Sequence, residues 1–345
     1  MHSSIHCAVA TVLLAISVPH SAEAADDEMV VNVYSHRHYE SDQTLFDAFT
    51  KDTGIAVNVV KAGADQLIER LVAEGDNSPA DLLLTVDAGR LYRAKEAGVL
   101  QPIRSDFLEA TIPPNLRDKD GQWYSLTVRG RIIVYAKDRV DPAADLSTYE
   151  SLAEPQWKNR ILSRSSDSLY NQSLLASIIA ANGRDAALTW AKGVRANMAR
   201  PPRGNDRDQI RAVAQGLADV ALVNTYYLGL LATSTEKSDR EAYAKVAPYF
   251  PNQDGRGAHI NVSGAGVTKS APHKANAIRL LEFLASDQAQ VVFAEANYEY
   301  PIKPENNRNA TLREWGDFKR DALPLNVLGE NNAEAVKLFD IAGWE

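Results

Sequence analysis

Tyr226 and Tyr227 stand side by side in VNTYYLG (223–229), directly after the apolar run VALV. A phenol, with a pKa near 10, keeps its proton at neutral pH unless a strong cation takes that proton's place. It then becomes a hard anionic oxygen ligand. Neighbouring residues point to opposite faces of a strand and diverge by about 100° on a helix, so the end of a strand is where two adjacent rings could serve one target. Two further stretches put the same chemistry in comparable places. VYSHRHYESD sets His36, His38 and Tyr39 where the strand-like VVNVYS runs out, and SSDSLYNQS places Tyr170 in the first turn of a helix behind Ser and Asp caps.

Taken singly, each stretch reads as ordinary: a polar surface turn, a half-buried first-turn aromatic, and a pair with one ring in the core and one outside. Together they supply four phenols and an imidazole, each at a strand-to-helix junction or a helix start. Doubly wound α/β folds collect their ligand contacts there. Hard anionic oxygen suits a small, highly charged ion, for which Fe(III) is the biological candidate. Zn(II) would more usually show Cys or clustered His, and Ca(II) carboxylates and carbonyls.

The elements that must position these residues alternate. MVVNVYS, IAVNVVKAG and DLLLTVD read as strands. SDQTLFDAFTKDTG, capped by Ser41 and stopped by Gly54, reads as a helix, as do ADQLIERLVAEG and GRLYRAKEAG. This pattern predicts an α/β fold with parallel or mixed sheets covered by helices. A second block follows the strand-like TVRGRIIVYAKD (127–138): NRILSRS as a strand, SLYNQSLLASIIAANG and DAALTWAKGVRANM as helices, then a helix and strand in DQIRAVAQGLADVALVNTYY. ANAIRLLEFLASDQAQVVFAEAN reads as one long amphipathic helical region and EAVKLFDIAGW as another helix. The chain of 345 residues, 45% hydrophobic, can bury two medium cores.

HCAVATVLLAISVPHSAEAADDE joins an apolar run of signal-peptide length to an A-x-A site at Ala22-Glu23-Ala24, which predicts a signal peptide over 1–24 and export to the periplasm of a Gram-negative bacterium. MHSSIH, ahead of that run, carries no Lys or Arg. Cys7, the single cysteine, falls in the removed part, so the mature chain must hold together by its core, without disulfides. Cleavage takes away Glu23 and no Lys or Arg, moving the formal charge from -8 to -7. A chain so charged is a poor partner for nucleic acid or anionic membrane, and no second apolar stretch is long enough to insert in a bilayer.

VNVYSHRHYESD, ADLLLTVDAGRLYRAKEAGVLQPI, LTVRGRIIVYAKD, SLYNQSLLASIIAANG and LVNTYYLG, in this order, resemble the periplasmic ferric-iron-binding proteins of ABC-type iron importers, most of all their tyrosine-rich members. The likeness covers nearly the whole mature chain. It implies a two-lobed periplasmic binding protein fold of type II-like form with a hinge and an interlobe cleft: residues 25–127 with about 258–300 in the N-terminal lobe, 128–257 with about 301–345 in the C-terminal lobe. It implies His38, Tyr39, Tyr170, Tyr226 and Tyr227 as the iron ligands, and leaves open a carbonate or similar anion sharing the site; SHRHY departs from the family pattern, with a histidine where relatives often show a small residue before the Arg, which makes His36 a candidate additional or substituted ligand. It also implies a membrane permease and its ATPase as partners of a monomeric receptor. Four phenolates around Fe(III) leave a net charge of -1, which calls for a nearby cation. Arg129 and Arg131 share one face if LTVRGRIIVY is a strand, and the family spacing ahead of Tyr170 favours Arg129.

Enzyme readings find little purchase. The chain lacks HExxH, GxSxG and a P-loop, and the Gly264–Gly266 pair reads as a glycine turn, not a dinucleotide fingerprint. The competing readings are a secreted metal-dependent hydrolase and a solute-binding protein of the same fold for an organic cation or a sugar, since aromatic rings also bind cations and stack on sugars.

Overall fold

The computed structural model describes residues 29–37 and 39–345; the expected signal peptide and His38 lie outside them. Among the described residues nine strands form one connected sheet system: β1 (Val30–Ser35), β2 (Ala56–Lys61), β3 (Leu82–Val86), β4 (Tyr124–Ala136), β5 (Ile161–Leu162), β6 (Val220–Asn224), β7 (Val246–Tyr249), β8 (Ile260–Val267) and β9 (Tyr300–Pro301). Their order is β2-β1-β3-β8-β4-β6-β5, with β7 and β9 also on β4. LLLTV, VALVN and INVSGAGV are buried along their whole length, the signature of strands covered on both faces, whereas β2 at the edge is exposed at alternate positions and carries Asn58 and Lys61.

β1 pairs in parallel with β2 and β3, and β5 with β6, as helix-linked strands should. Every pair that includes β4 or β8 is antiparallel, so the sheet is mixed. These two strands tie the halves together. β4 pairs with β8 through Gly130, and from Arg131 onward with β6 and β7, while the Arg131 N–H donates to the His259 carbonyl at 2.9 Å. The change of partner falls at Gly130, where an added Cβ would lie 3.3 Å from Thr225 Cγ2 and 3.6 Å from the rings of Phe250 and Phe318. The molecule is a mixed α/β protein of two lobes, and the expected lobe boundary at 127/128 lies inside this shared strand.

Several local expectations are corrected. The first helix runs Glu40–Thr53 with Tyr39, not Ser41, at its N-cap; Ser41 instead hydrogen-bonds Asn297 Oδ1 at 2.8 Å. Gly54 does stop it, in the left-handed conformation at φ 77°. NRILSRS contributes only two strand residues. The long helical region after residue 273 is two helices, Lys274–Ala285 and Asp287–Asn297, separated by Ser286, whose hydroxyl accepts from Ala289 N. Gly264 and Gly266 make no turn; they lie within β8, and a Cβ on Gly264 would sit 2.6 Å from the Tyr124 carbonyl. Among the described residues no helix is long and apolar enough to cross a membrane.

Gly266 faces the Gln122 carbonyl even more closely and the Leu100 methyls at 2.9 and 3.1 Å. Gly266→Val is therefore expected to destabilise the protein by about 2 kcal/mol through overpacking. A lower urea midpoint with unchanged slope would show it; an unchanged midpoint would mean that β8 has room the packing does not reveal.

Candidate metal centre

Tyr170 is the second residue of the helix Leu169–Asn182, and the next residue, Asn171, fixes its start. The Asn171 amide donates to the carbonyls of Arg164 and Ser165 at 2.9 and 3.2 Å, and its Oδ1 accepts from Arg131 Nη2 at 2.7 Å. Tyr226 and Tyr227 lie in the first turn of Thr225–Ala232, which begins where β6 ends. Asn224 joins the two elements: its N–H donates to Asp206 Oδ2 at 2.7 Å, and its Oδ1 accepts from Arg131 Nη1 at 3.1 Å.

The adjacent rings stand in the first turn of a helix that follows the strand directly. Helical side chains lean toward the N-terminus, so first-turn rings project past the helix start, where their angular spread matters less. The Tyr226 and Tyr227 ring centroids lie 4.2 Å apart, and Tyr170 meets Tyr227 edge-on at 6.5 Å. The Tyr226 hydroxyl donates to the Tyr170 hydroxyl at 3.0 Å. Tyr226 is buried and Tyr227 half-buried, yet both belong to one cluster.

Tyr39 arrives from the N-terminal part of the chain, at the N-cap of Glu40–Thr53 and with the Arg37 guanidinium carbon 4.7 Å from its ring centroid. It stands close enough to Tyr170, Tyr226 and Arg129 for their charges to act on it or its charge on them. His36 extends β1, its N–H donating to the Leu84 carbonyl at 2.9 Å. The four phenols stand at three helix starts, and none of those starts is closed by a side-chain cap. The positive ends of three helix dipoles are left open on the side where phenol oxygens gather.

Beneath the phenols lies a buried charge network that sequence reading captured only in part. Arg129 donates to Glu299, Ser263 and the Val262 carbonyl, with its guanidinium carbon 5.7 Å from the Tyr226 ring centroid. Arg131 pairs with Asp206 at 2.7 Å and lies 6.0 Å from the Tyr170 ring centroid. These two residues do share a face of β4, one beside each phenol. Arg37 and Glu299 were missed. Arg37 bonds Asp42 and Glu299, each at 3.0 Å, and Glu299 is held by both Arg37 and Arg129. Arg37 stands 262 residues from Glu299, a separation no local motif spans. Arg37, flanked by two histidines in SHRHY, carried the only available signal.

Burial weakens three of the phenols as acids, raising the pKa of Tyr39, Tyr170 and Tyr226. It pushes Tyr170 up to about 12, with Tyr227 adding and Arg129 opposing, and raises Tyr226 well above the ordinary range. Burial also raises Tyr39, with Glu299 adding and Arg37 and Arg129 drawing it back. Around neutral pH these three are neutral donors, so they become ligands only by exchanging protons for a cation. Among the described residues no three His, Cys, Asp or Glu side chains cluster as a metal site.

A two-lobed α/β chain with polar groups from both lobes converging at the junction has the build of a solute-binding protein. Residues 77–320 match the family of bacterial extracellular solute-binding proteins, and the chain belongs to that family. It is 47% identical to iron uptake protein A1 of Synechocystis over 94% of this chain and 90% of that protein. It is 31% identical to the major ferric iron-binding protein of Neisseria meningitidis over 100% of both chains. A Trichodesmium protein (IdiA, FutA), solved in complex with iron and citrate ligands, superposes with a TM-score of 0.89 at 50% identity, covering 92% of this chain and 100% of that one.

Glu299 is fully buried between two guanidinium groups. Despite burial, which by itself would raise it, Arg37 and Arg129 hold its carboxyl down at about 2. Because the folded value is depressed, the stability it contributes is complete above about pH 4.5 and is lost as pH falls toward 2. Glu299→Gln should cost about 3 kcal/mol at pH 7, since it leaves buried cations short of a partner. Urea unfolding at pH 7 measures this, and a cost near zero would remove Glu299 from the framework.

Proposed function

We propose that this chain captures Fe(III) between its lobes through the phenolates of Tyr39, Tyr170, Tyr226 and Tyr227 and delivers it to an ABC-type membrane permease. His38, next to Tyr39, is assigned as the imidazole of the set, with His36 and Arg131 at its margin and Arg129 supporting the site or a co-bound anion such as carbonate. The protein acts in the periplasm as a monomeric receptor and catalyses no reaction. The names and iron-bound state of the relatives described above support the cargo, and membership of an extracellular solute-binding family supports export and a transporter as partner.

One observation in this chain carries the reading. The Tyr170 and Tyr226 hydroxyl oxygens lie 3.0 Å apart. Oxygens at right angles around a metal with bonds of about 2.0–2.1 Å are roughly 2.9 Å apart, so this pair already has the bite of one ion. The hydrogen bond between them is what a metal ion would replace. Tyr170, Tyr226 and Tyr227 lie on two helices of one lobe and can take up the ion first; Tyr39 then completes the set as the lobes close, a hinge motion that contacts of the closed state alone can drive. Opening, protonation or reduction releases the ion, since Fe(II) has less charge with which to hold phenolate.

The competing solute readings fit less well. Arg37, Arg164 and Arg207 already lie over the rings of Tyr39, Tyr170 and Tyr227 at 4.7, 5.4 and 6.0 Å. An organic cation would meet ring faces already attended by positive charge.

Loaded with ferric citrate, the protein should be red to orange from phenolate-to-iron charge transfer. Tyr226→Phe and Tyr227→Phe should each weaken or shift that band and cost more than the roughly 10–100-fold typical of an outer-shell change. Retention of both band and affinity in both variants would show that the pair does not coordinate. Because Tyr39, Tyr170 and Tyr226 all start protonated, loading at pH 7 should release at least three protons per iron, measured by dye or pH-stat with citrate speciation subtracted. Release of one proton or none would leave the phenols outside the coordination shell.

A further inference from the structure

Three buried guanidinium groups at the lobe junction pair with three carboxylates before any phenol ionises, while a further buried carboxylate, Asp87, faces Arg90 and Arg129. Arg37, Arg129 and Arg131 carry three positive charges, and Asp42, Glu299 and Asp206 carry three negative ones. That network has no spare charge for the -1 that four phenolates leave around a trivalent ion.

Arg164 differs from these. Its side chain is 24% exposed, and its nearest carboxylate oxygen, Asp206 Oδ1, lies 3.5 Å away. Asp206 is already bound through Oδ2 to Arg131 Nη1 and Asn224 N, both at 2.7 Å, while its Oδ1 is buried and makes no hydrogen bond. One carboxylate therefore serves two guanidinium groups, and an excess positive charge remains beside the C-terminal-lobe phenols. The Arg164 guanidinium carbon lies 5.4 Å from the Tyr170 ring centroid, and Tyr227, Tyr170 and Tyr226 all lie within its electrostatic reach. Its backbone is anchored: the Arg164 carbonyl accepts from Asn171 Nδ2 and from Trp344 Nε1, each at 2.9 Å. Arg207, the other cation on this side, is exposed, and solvent screens it.

We propose that Arg164 supplies the positive charge that offsets the four-phenolate ferric centre and thereby tunes which oxidation state the site retains. This rests on the ferric reading above. The same four phenolates carry a net -1 with Fe(III) and -2 with Fe(II), so a fixed cation nearby stabilises the reduced state more. Arg164 strengthens ferric capture and at the same time raises the reduction potential, so the bound ion is easier to reduce while the Fe(II) product is held more tightly than it would be without this charge. A residue that only packed against Tyr170 would affect the ring's position and not the difference between oxidation states.

The test compares wild type, R164K and R164Q, each loaded with ferric citrate. It measures citrate-competition affinity, the charge-transfer band and the potential of the bound iron in a mediated titration. R164Q should bind Fe(III) roughly tenfold more weakly and lose about a further tenfold for Fe(II), a negative shift of about 59 mV for one electron. R164K, with the charge kept and the planar group lost, should stay within about threefold of wild type and within roughly 30 mV of its potential. If R164Q matches wild type in affinity and potential, or R164K falls as far as R164Q, Arg164 is not a charge-setting residue. A wild-type protein with no charge-transfer band would overturn the ferric reading itself; a banded wild type with an unchanged R164Q overturns the role of Arg164 alone.

Discussion

A phenol buried in protein will not part with its proton for anything weaker than a concentrated positive charge, and the rest of this structure is arranged around that constraint. Desolvation raises Tyr39, Tyr170 and Tyr226. The metal-free junction therefore holds neutral hydroxyls and no unbalanced cluster of anions. The same burial sets a threshold for cargo: a monovalent ion or a weakly charged solute cannot repay the cost of ionising several phenols together. Three open helix starts and the neighbouring guanidinium groups lower that cost without removing it.

The fold delivers the phenols to one place by a simple device. Each sits on the first turn or N-cap of a helix that follows a strand or loop directed at the junction. The side-chain lean toward the helix start carries the oxygen beyond the backbone. The two crossing strands β4 and β8 hold the junction together, and the buried Arg37–Glu299–Arg129 network stitches the Tyr39 segment to them. Next to Glu299, Tyr298 packs against Gly229 of the helix that bears the tyrosine pair and hydrogen-bonds Thr233. Two consecutive residues thus touch both the Arg37–Arg129 network and the helix that bears the tyrosine pair.

Much of this was legible in the sequence because its signals are local. A strand running into HY, a helix opening on Tyr, and a strand running into YY are short motifs whose geometry follows from a few backbone angles, although the Ser and Asp ahead of Tyr170 do not cap their helix through a side chain. Arg129 and Arg131 could be placed on one face from their spacing alone. What escaped was non-local or balanced by tertiary contacts. Glu299 meets Arg37 only after the chain folds back on itself, and no periodicity in NYEYP marks that carboxylate as buried. Gly264 and Gly266 looked like turn residues, but the close backbone of Tyr124 and Gln122 explains why a strand there must lack side chains. Ser286 did carry a cap signal, SDQ, which the apolar periodicity on both sides concealed.

In the proposed ferric centre, phenolate oxygens from both lobes surround a single ion. A crystal structure of the ferric-loaded protein, with anomalous differences collected on both sides of the iron edge, tests it most directly. The account predicts one strong peak bonded to the hydroxyl oxygens of Tyr39, Tyr170, Tyr226 and Tyr227. A peak held by carboxylates elsewhere, or one bonded to the C-terminal-lobe tyrosines with Tyr39 remote in a closed molecule, would contradict it.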